Sequence, residues 1–255
     1  MKTRILTVFT LLLSLGAAAQ TVNVHKTDGT VVSYPASEFD YIDFTAAEEK
    51  PGDGQLYTTC PDANHPHMID LGLPSGTKWA CCNVGASTPE GYGNYYAWGE
   101  TQPKSVYDRS TYRWGSDYDE LTKYCTKSSY GSVDNKTTLD ASDDAATANW
   151  GAPWRMPSLM QMQELVNSCT STWTAQNGVY GRKFVGPNGG AIFLPAAGYR
   201  WNGVLYNAGS RGLYWSSTLH ESSPVDAYFL YFNSSGAYWG YYYYRHIGHT
   251  VRPVR

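Results

Sequence analysis

The chain has 255 residues, a net charge of −3 and only 16% charged side chains. It contains no clustered Lys/Arg excess, which excludes the electrostatic footprint of a nucleic-acid-binding surface. With 22 Tyr and 9 Trp beside 25 Gly, the composition favours strands and loops over helices, and the length allows one sizeable core with a small appendage.

At the N-terminus a basic stretch (Lys2, Arg4) leads into an apolar run from Ile5 to Leu15, followed by Gly16-Ala17-Ala18-Ala19. The run is shorter than the ~18 residues that cross a bilayer, and an A-x-A pattern follows it. Residues 1–19 are therefore expected to be a signal peptide cleaved after Ala19. The mature protein is expected to be exported (secreted, periplasmic or at the cell surface) with no membrane span. Export permits disulfides, but the five cysteines (Cys60, Cys81, Cys82, Cys125, Cys169) are odd in number and contain no C-x-x-C pair. At least one thiol must stay unbridged or pair elsewhere.

Residues 20–45 read as a β-hairpin segment: apolar and polar residues alternate on both sides of the turn Asp28-Gly29, and a trailing strand is expected at Tyr41 to Phe44. Residues 46–56, charged and rich in Gly and Pro, read as a linker, and the main domain is expected over 57–255. A weak helix is expected over Ala141 to Ala148. A stronger one begins at Ser158, whose hydroxyl is a plausible N-cap, with Gln161 completing a capping box. Leu159, Met162, Leu165, Val166 and Cys169 recur at helical spacing and should face the core, with Gln161, Gln163, Glu164 and Asn167 in water. Two hairpins follow: Arg182–Val185 with Ala191–Leu194 across Pro187–Gly190, and Ala227–Phe232 with Ala237 onward across Asn233–Gly236. A last strand is expected over Thr250–Val254.

Candidate chemical sites are sparse. His65-Pro66-His67 with Asp70 has metal-binding residue types but no evident fourth ligand, and is expected to be a surface loop. Asp140, Asp143 and Asp144 lack EF-hand spacing and are expected to serve helix capping. No G-x-S-x-G elbow or locally supported Ser/His/Asp order is present. The chain is expected to be no enzyme and to need no metal or cofactor.

Several segments resemble one family: Asp70-Leu71-Gly72-Leu73-Pro74-Ser75-Gly76-Thr77-Lys78-Trp79-Ala80, Asn83-Val84-Gly85-Ala86, Gly93-Asn94-Tyr95-Tyr96-Ala97-Trp98-Gly99-Glu100-Thr101, Trp154-Arg155-Met156-Pro157-Ser158, Phe193-Leu194-Pro195-Ala196-Ala197-Gly198-Tyr199-Arg200, Tyr214-Trp215-Ser216-Ser217 and Val251-Arg252-Pro253-Val254. Together they are similar, in order and from Tyr57 to Arg255, to the Fibrobacter succinogenes major paralogous domain. The resemblance implies an α+β, C-type-lectin-like fold with few helices and twisted antiparallel sheets. It also implies a framework in which Tyr199, Tyr214, Trp215, Tyr228 and Phe232 enter the core.

Some members of that fold are the variable proteins of diversity-generating retroelements, whose last few tens of residues are rewritten at adenines of a template repeat. The stretch from Trp239 to His249 resembles such a product. Formylglycine-generating oxidases share the fold and a stretch similar to Trp154–Pro157, but they need a reactive cysteine pair in their C-terminal part, and no cysteine follows Cys169 here.

The tyrosines carry an argument of their own. Ten of the 22 lie between Tyr199 and Arg255, and six aromatics are packed into Tyr238 to Tyr244. Neighbours in a strand point to opposite faces, so at least two or three of these rings should be exposed. Exposed aromatic patches of this size mark interaction surfaces, and tyrosine brings area and a hydroxyl at the cost of two torsions. The expected ligand-binding residues are Tyr238, Trp239, Tyr241, Tyr242, Tyr243, Tyr244, His246, Ile247 and His249. Gly248, Val251, Arg252, Pro253 and Val254 should anchor them. The expected partner is a protein ligand or cell-surface receptor; the alternative is a glycan, with the aromatic rings stacking on sugar faces.

Overall fold

The structure, a computed structural model, describes residues 21–25, 29–36 and 67–255. The expected signal peptide, trailing strand, linker, Cys60, His65 and Pro66 lie outside the described residues. The chain divides into two compact units, Met1–Glu48 and Glu49–Arg255.

In the first unit β1 (Thr21–His25) pairs antiparallel with β2 (Val31–Pro35), Thr21 opposite Pro35 and His25 opposite Val31. Gly29, at φ +85°, supplies the left-handed residue of the connection.

The second unit is α+β: small, mostly antiparallel sheets with two helices. β3 (Met68–Asp70) pairs with β4 (Lys78–Ala80). Then come α1 (Ala145–Trp150) and α2 (Leu159–Ser168). A three-stranded sheet follows from β5 (Thr170–Gln176), β6 (Val179–Val185) and β7 (Ala191–Pro195), and a hairpin from β8 (Tyr199–Trp201) and β9 (Val204–Tyr206). The last sheet joins β10 (Gly212–Leu219), β11 (Asp226–Phe232) and β12 (Ala237–Tyr244) in that order, leaving β12 at an edge. Among the described residues no helix is long and apolar enough to cross a membrane.

Local chemistry explains the elements. Ser158 Oγ accepts from Gln161 N at 3.2 Å, and Gln161 Oε1 accepts from Ser158 N at 3.0 Å, the reciprocal capping box that starts α2. Two tight hairpins turn on Asn-Gly pairs with positive φ at both positions: Asn177-Gly178 (47°, 82°) between β5 and β6, and Asn202-Gly203 (46°, 77°) between β8 and β9. That combination matches the twist of the flanking strands.

The β10–β11–β12 sheet lies between two apolar clusters. On one side Leu230 and Phe232 pack with Met162 and Leu165 of α2 and with Trp79. On the other, Phe229 and Ala227 pack with Trp215, Trp98 and Val251. Of the expected framework core, Tyr214, Trp215 and Phe232 are fully buried, while Tyr199 and Tyr228 are half-buried.

Several expectations need correction. α1 starts at Ala145, capped by Asp144, whose Oδ1 accepts from Thr147 N at 2.9 Å. Asp140 and Asp143 do not cap it; both pair with Lys123 Nζ, at 2.6 and 2.5 Å. His67 is no surface-loop residue. It is buried, with Nδ1 3.6 Å from Cys81 Sγ. On α2, Gln161 and Glu164 turn to the Ser75–Thr77 loop rather than to water: Gln161 Nε2 donates to Thr77 Oγ1 at 2.8 Å, and Glu164 accepts from Ser75 N at 2.7 Å. Cys125 and Cys169 are buried, unbridged thiols, and burial with nearby Glu164 pushes the latter up to about 11.

Thr250–Val254 forms no continuous strand. From His249 on, the chain threads through the interior, exchanging single bridges with four partners in turn. His249 pairs with Tyr96, Thr250 with Tyr214, and Val254 with both Trp79 and Arg155. Lys78 and Arg255 close the run by trading backbone hydrogen bonds at 3.0 and 2.9 Å. A segment with polar backbone on all sides needs a partner on each, and this is how it finds them.

Candidate functional site

β12 carries the aromatic run. Tyr238, Trp239, Tyr241, Tyr242 and Tyr243 are 37–51% exposed. On a regular strand neighbouring rings alternate between the two faces, and β12 is not regular. The register passes from Phe229–Tyr241 to Tyr231–Tyr238, two residues on β11 against three on β12. This is a β-bulge at Trp239-Gly240, and Gly240 adopts φ +82° to form it. The extra residue brings Tyr238 and Tyr241, three apart in sequence, to one face together with Tyr243.

On that face the rings form a continuous ladder. Tyr231 lies 6.2 Å from Tyr238 and 5.1 Å from Tyr241, Tyr241 is 6.1 Å from Phe229, and Phe229 is 4.9 Å from His249. Spacings of this order are those of favourable aromatic pairs. Exposed tyrosines are thus backed by half-buried ones and then by the core. On the opposite face Tyr242 stacks on His220 at 4.0 Å, with Tyr228 edge-on to it at 6.2 Å.

Beyond the strand the chain dives inward. Arg245 is buried and donates through Nε to Tyr112 Oη (2.8 Å), through Nη1 to the carbonyls of Pro224 (2.7 Å) and Tyr124 (3.1 Å), and through Nη2 to that of Lys123 (3.1 Å). Its guanidinium also sits over the Trp98 ring at 5.0 Å. Arg252 is likewise buried. It donates to Asn83 Oδ1 (2.8 Å) and to the carbonyls of Cys81 (2.7 Å), Phe193 (3.0 Å), Ala80 (3.1 Å) and Pro89 (3.3 Å). Two guanidinium groups therefore fix the chain that follows β12 to the loops around residues 80–98 and 112–124.

The expected ligand-binding residues divide accordingly. Tyr238, Trp239, Tyr241, Tyr242 and Tyr243 share the exposed strand, and Tyr244 is half-buried beside them. His246, Ile247 and His249 are buried, because Arg245 pulls the chain inward at the end of β12. His249 belongs to the core and makes no surface, whereas His246 and Ile247 form the floor of a pocket at the end of the strand. Burial, with Arg109 beside it, lowers the His246 imidazole to about 4, and burial alone lowers His249 well below the ordinary histidine range. Arg245 was not legible as an anchor, since an arginine among tyrosines reads as surface. The mid-strand Gly240 is the sequence signal for the bulge. Among the described residues no cluster of His, Cys, Asp and Glu could hold a metal ion.

A protein-family profile described as a domain of unknown function (DUF8237) matches residues 172–254. The matched stretch begins within β5 and includes β12, Arg245 and Arg252. No curated protein and no solved structure matches the chain.

Proposed function

We propose that this chain is an exported, non-enzymatic binding protein with a C-type-lectin-like main domain. It presents the tyrosines of β12 to a protein partner or cell-surface receptor. The observation that carries the reading is the contrast along one segment: five exposed aromatic rings on an edge strand, followed at once by a buried, fully hydrogen-bonded anchor. Together the rings offer on the order of 500 Å² of aromatic surface, a large share of the roughly 800 Å² one partner contributes to a standard interface. Tyr and Trp are the residues enriched at binding hot spots. Because the anchor is made by Arg245 and Arg252 and not by the tyrosines, the exposed positions can change identity without loss of the scaffold. This is the property a segment diversified by a retroelement needs.

The test is a variant with Tyr238, Tyr241, Tyr242 and Tyr243 replaced by Ser, compared with the parent in pull-downs from cell-surface extracts and by thermal melting. The expected result is loss of the captured partner with the melting temperature nearly unchanged. A variant that unfolds, or one that still captures the same partner, removes the reading. A near-copy of the coding sequence for the last residues, differing only at adenines and lying near a reverse-transcriptase gene, is the expected genomic companion.

A further inference from the structure

A pocket of about 440 Å³ opens where the end of β12 meets the loop carrying Asp108 and Arg109 and the tip of the β8–β9 hairpin. That volume lies within the roughly 300–1,000 Å³ of small-ligand sites, which combine aromatic walls with a few placed polar groups. The walls here are aromatic: Trp201, Tyr118 and Tyr243 line the pocket and are each 42–45% exposed. Trp201 sits immediately before the Asn202-Gly203 turn, held by Tyr206 at 6.2 Å. Tyr118 is backed by Tyr244 at 5.6 Å.

The polar groups balance one another. The Arg109 guanidinium lies over the Tyr118 ring and pairs with Asp117 at 3.8 Å. The Asp108 carboxylate accepts from Ser110 Oγ at 2.7 Å and from Thr111 N at 3.2 Å, and these bonds hold it ionised. His246, on the floor, is uncharged at neutral pH. One anion, one cation, the hydroxyls of Ser110, Tyr118, Tyr243 and Tyr244, and a neutral imidazole leave the lining residues themselves without net charge. A strongly charged ligand would find no net counter-charge in the lining, and a wholly apolar one would strip these polar groups of water. A pyranose ring matches both features, with a C–H face for the aromatic walls and hydroxyls that each donate and accept.

We propose that this pocket is a saccharide site that takes one or two neutral pyranose rings. Trp201 is the stacking platform, and Asp108 and Arg109 hydrogen-bond the ring hydroxyls. The inference goes beyond the protein-binding reading of β12, because Trp201, Asp108 and Arg109 lie outside that strand. The two together describe a surface suited to a glycosylated partner.

The experiment is saturation-transfer difference NMR on the full chain with methyl β-galactoside, methyl α-mannoside, lactose and cellobiose, with glucuronic acid and glucosamine as charged controls. The expected result is binding of at least one neutral sugar at millimolar concentration. Affinity should fall about tenfold or more in Trp201→Ala and in Asp108→Asn, and stay unchanged in Tyr238→Ser and Tyr241→Ser. Asp108→Asn alters a half-buried side chain whose remaining amide oxygen can still accept from Thr111 N, and it decides the matter if Trp201→Ala fails to fold. The proposal is overturned if no neutral sugar binds, if only the charged controls bind, or if binding survives in both pocket variants. Loss of the protein partner in the Tyr238 and Tyr241 variants, with sugar binding kept, shows that the two sites are separate. Sugar binding lost in those two variants places the sugar on β12 and also overturns the pocket.

Discussion

The imidazole of His249 stacks on the indole of Trp215, ring centroids 3.9 Å apart and planes 22° from parallel, and neither of its nitrogens has a hydrogen-bond partner among the described residues. Such a ring is tolerated only while neutral, because protonation would place an unpaired charge in an aromatic cage.

Acid should therefore destabilise the fold. Burial lowers His249 well below the ordinary histidine value, and burial with Arg109 lowers His246 to about 4 from 6.5. Between those limits the unfolded chain binds protons that the folded chain refuses, so stability is lost as pH falls, by up to about 1.4 kcal/mol per pH unit for each histidine. Asp144 and Asp226, both raised by burial above the usual carboxylate value, work in the opposite sense. They penalise folding while ionised, and the penalty fades as pH falls through their folded values. The melting temperature is expected to drop from pH 7 toward pH 4, and His249→Phe should flatten that slope. A slope unaltered by the substitution would show that His249 is not the proton acceptor.

The two buried guanidinium groups should be the costliest side chains to lose. Arg252→Met leaves five acceptors without their donor, and a buried acceptor left unpaired costs about 1–3 kcal/mol. Even if the site relaxes, a loss of at least about 3 kcal/mol is expected in denaturant titration. Arg252→Lys should rescue little, since an ammonium cannot span the planar fork.

What could be read from the sequence, and what could not, follows the range of the forces involved. α2 was legible because Ser158 and Gln161 close a local motif and Met162 and Leu165 repeat at helical spacing. The Asn233–Gly236 hairpin was legible for the same reason. The equally local Asn177-Gly178 and Asn202-Gly203 turns also carry a hairpin signal, yet the Thr-rich β5 shows no clean apolar alternation, and β8 and β9, three residues each, are too short to show one. β10 was missed because it is buried on both faces and lacks period two. The exposure of the tyrosines was legible. The burial of His246, Ile247 and His249 was not, because it depends on Arg245 reaching Tyr112, Lys123 and Tyr124, more than a hundred residues away in sequence.

Phe229 and Tyr241 face each other across β11 and β12, one 4% and the other 48% exposed. Truncating the inner ring opens a cavity beside Trp215 and His249, so Phe229→Ala is expected to cost about 3–5 kcal/mol. Tyr241→Ser loses only a half-solvated ring and should cost less than about 1 kcal/mol. A comparable loss from the two would mean that Tyr241 is structural, which is incompatible with a replaceable binding face.

The bulge offers a last test, in which two glycines fail for different reasons. A Cβ at Gly212 would run into the ring of buried Phe232, so Gly212→Ala forces a core side chain to move and is expected to cost about 1–3 kcal/mol or more. A Cβ at Gly240 meets nothing within 4 Å, so there the cost is wholly that of holding an L-residue at φ +82°. Gly240→Ala should lose about 1–2 kcal/mol. Asparagine tolerates that region, and among the described residues four of the five non-glycine positions with positive φ are Asn135, Asn177, Asn202 and Asn207. Gly240→Asn should therefore recover part of the loss while keeping the bulge, and with it the placement of Tyr238 and Tyr241 on one face. Equal losses for Ala and Asn at position 240 would mean that the strand resists a side chain for a reason other than backbone conformation.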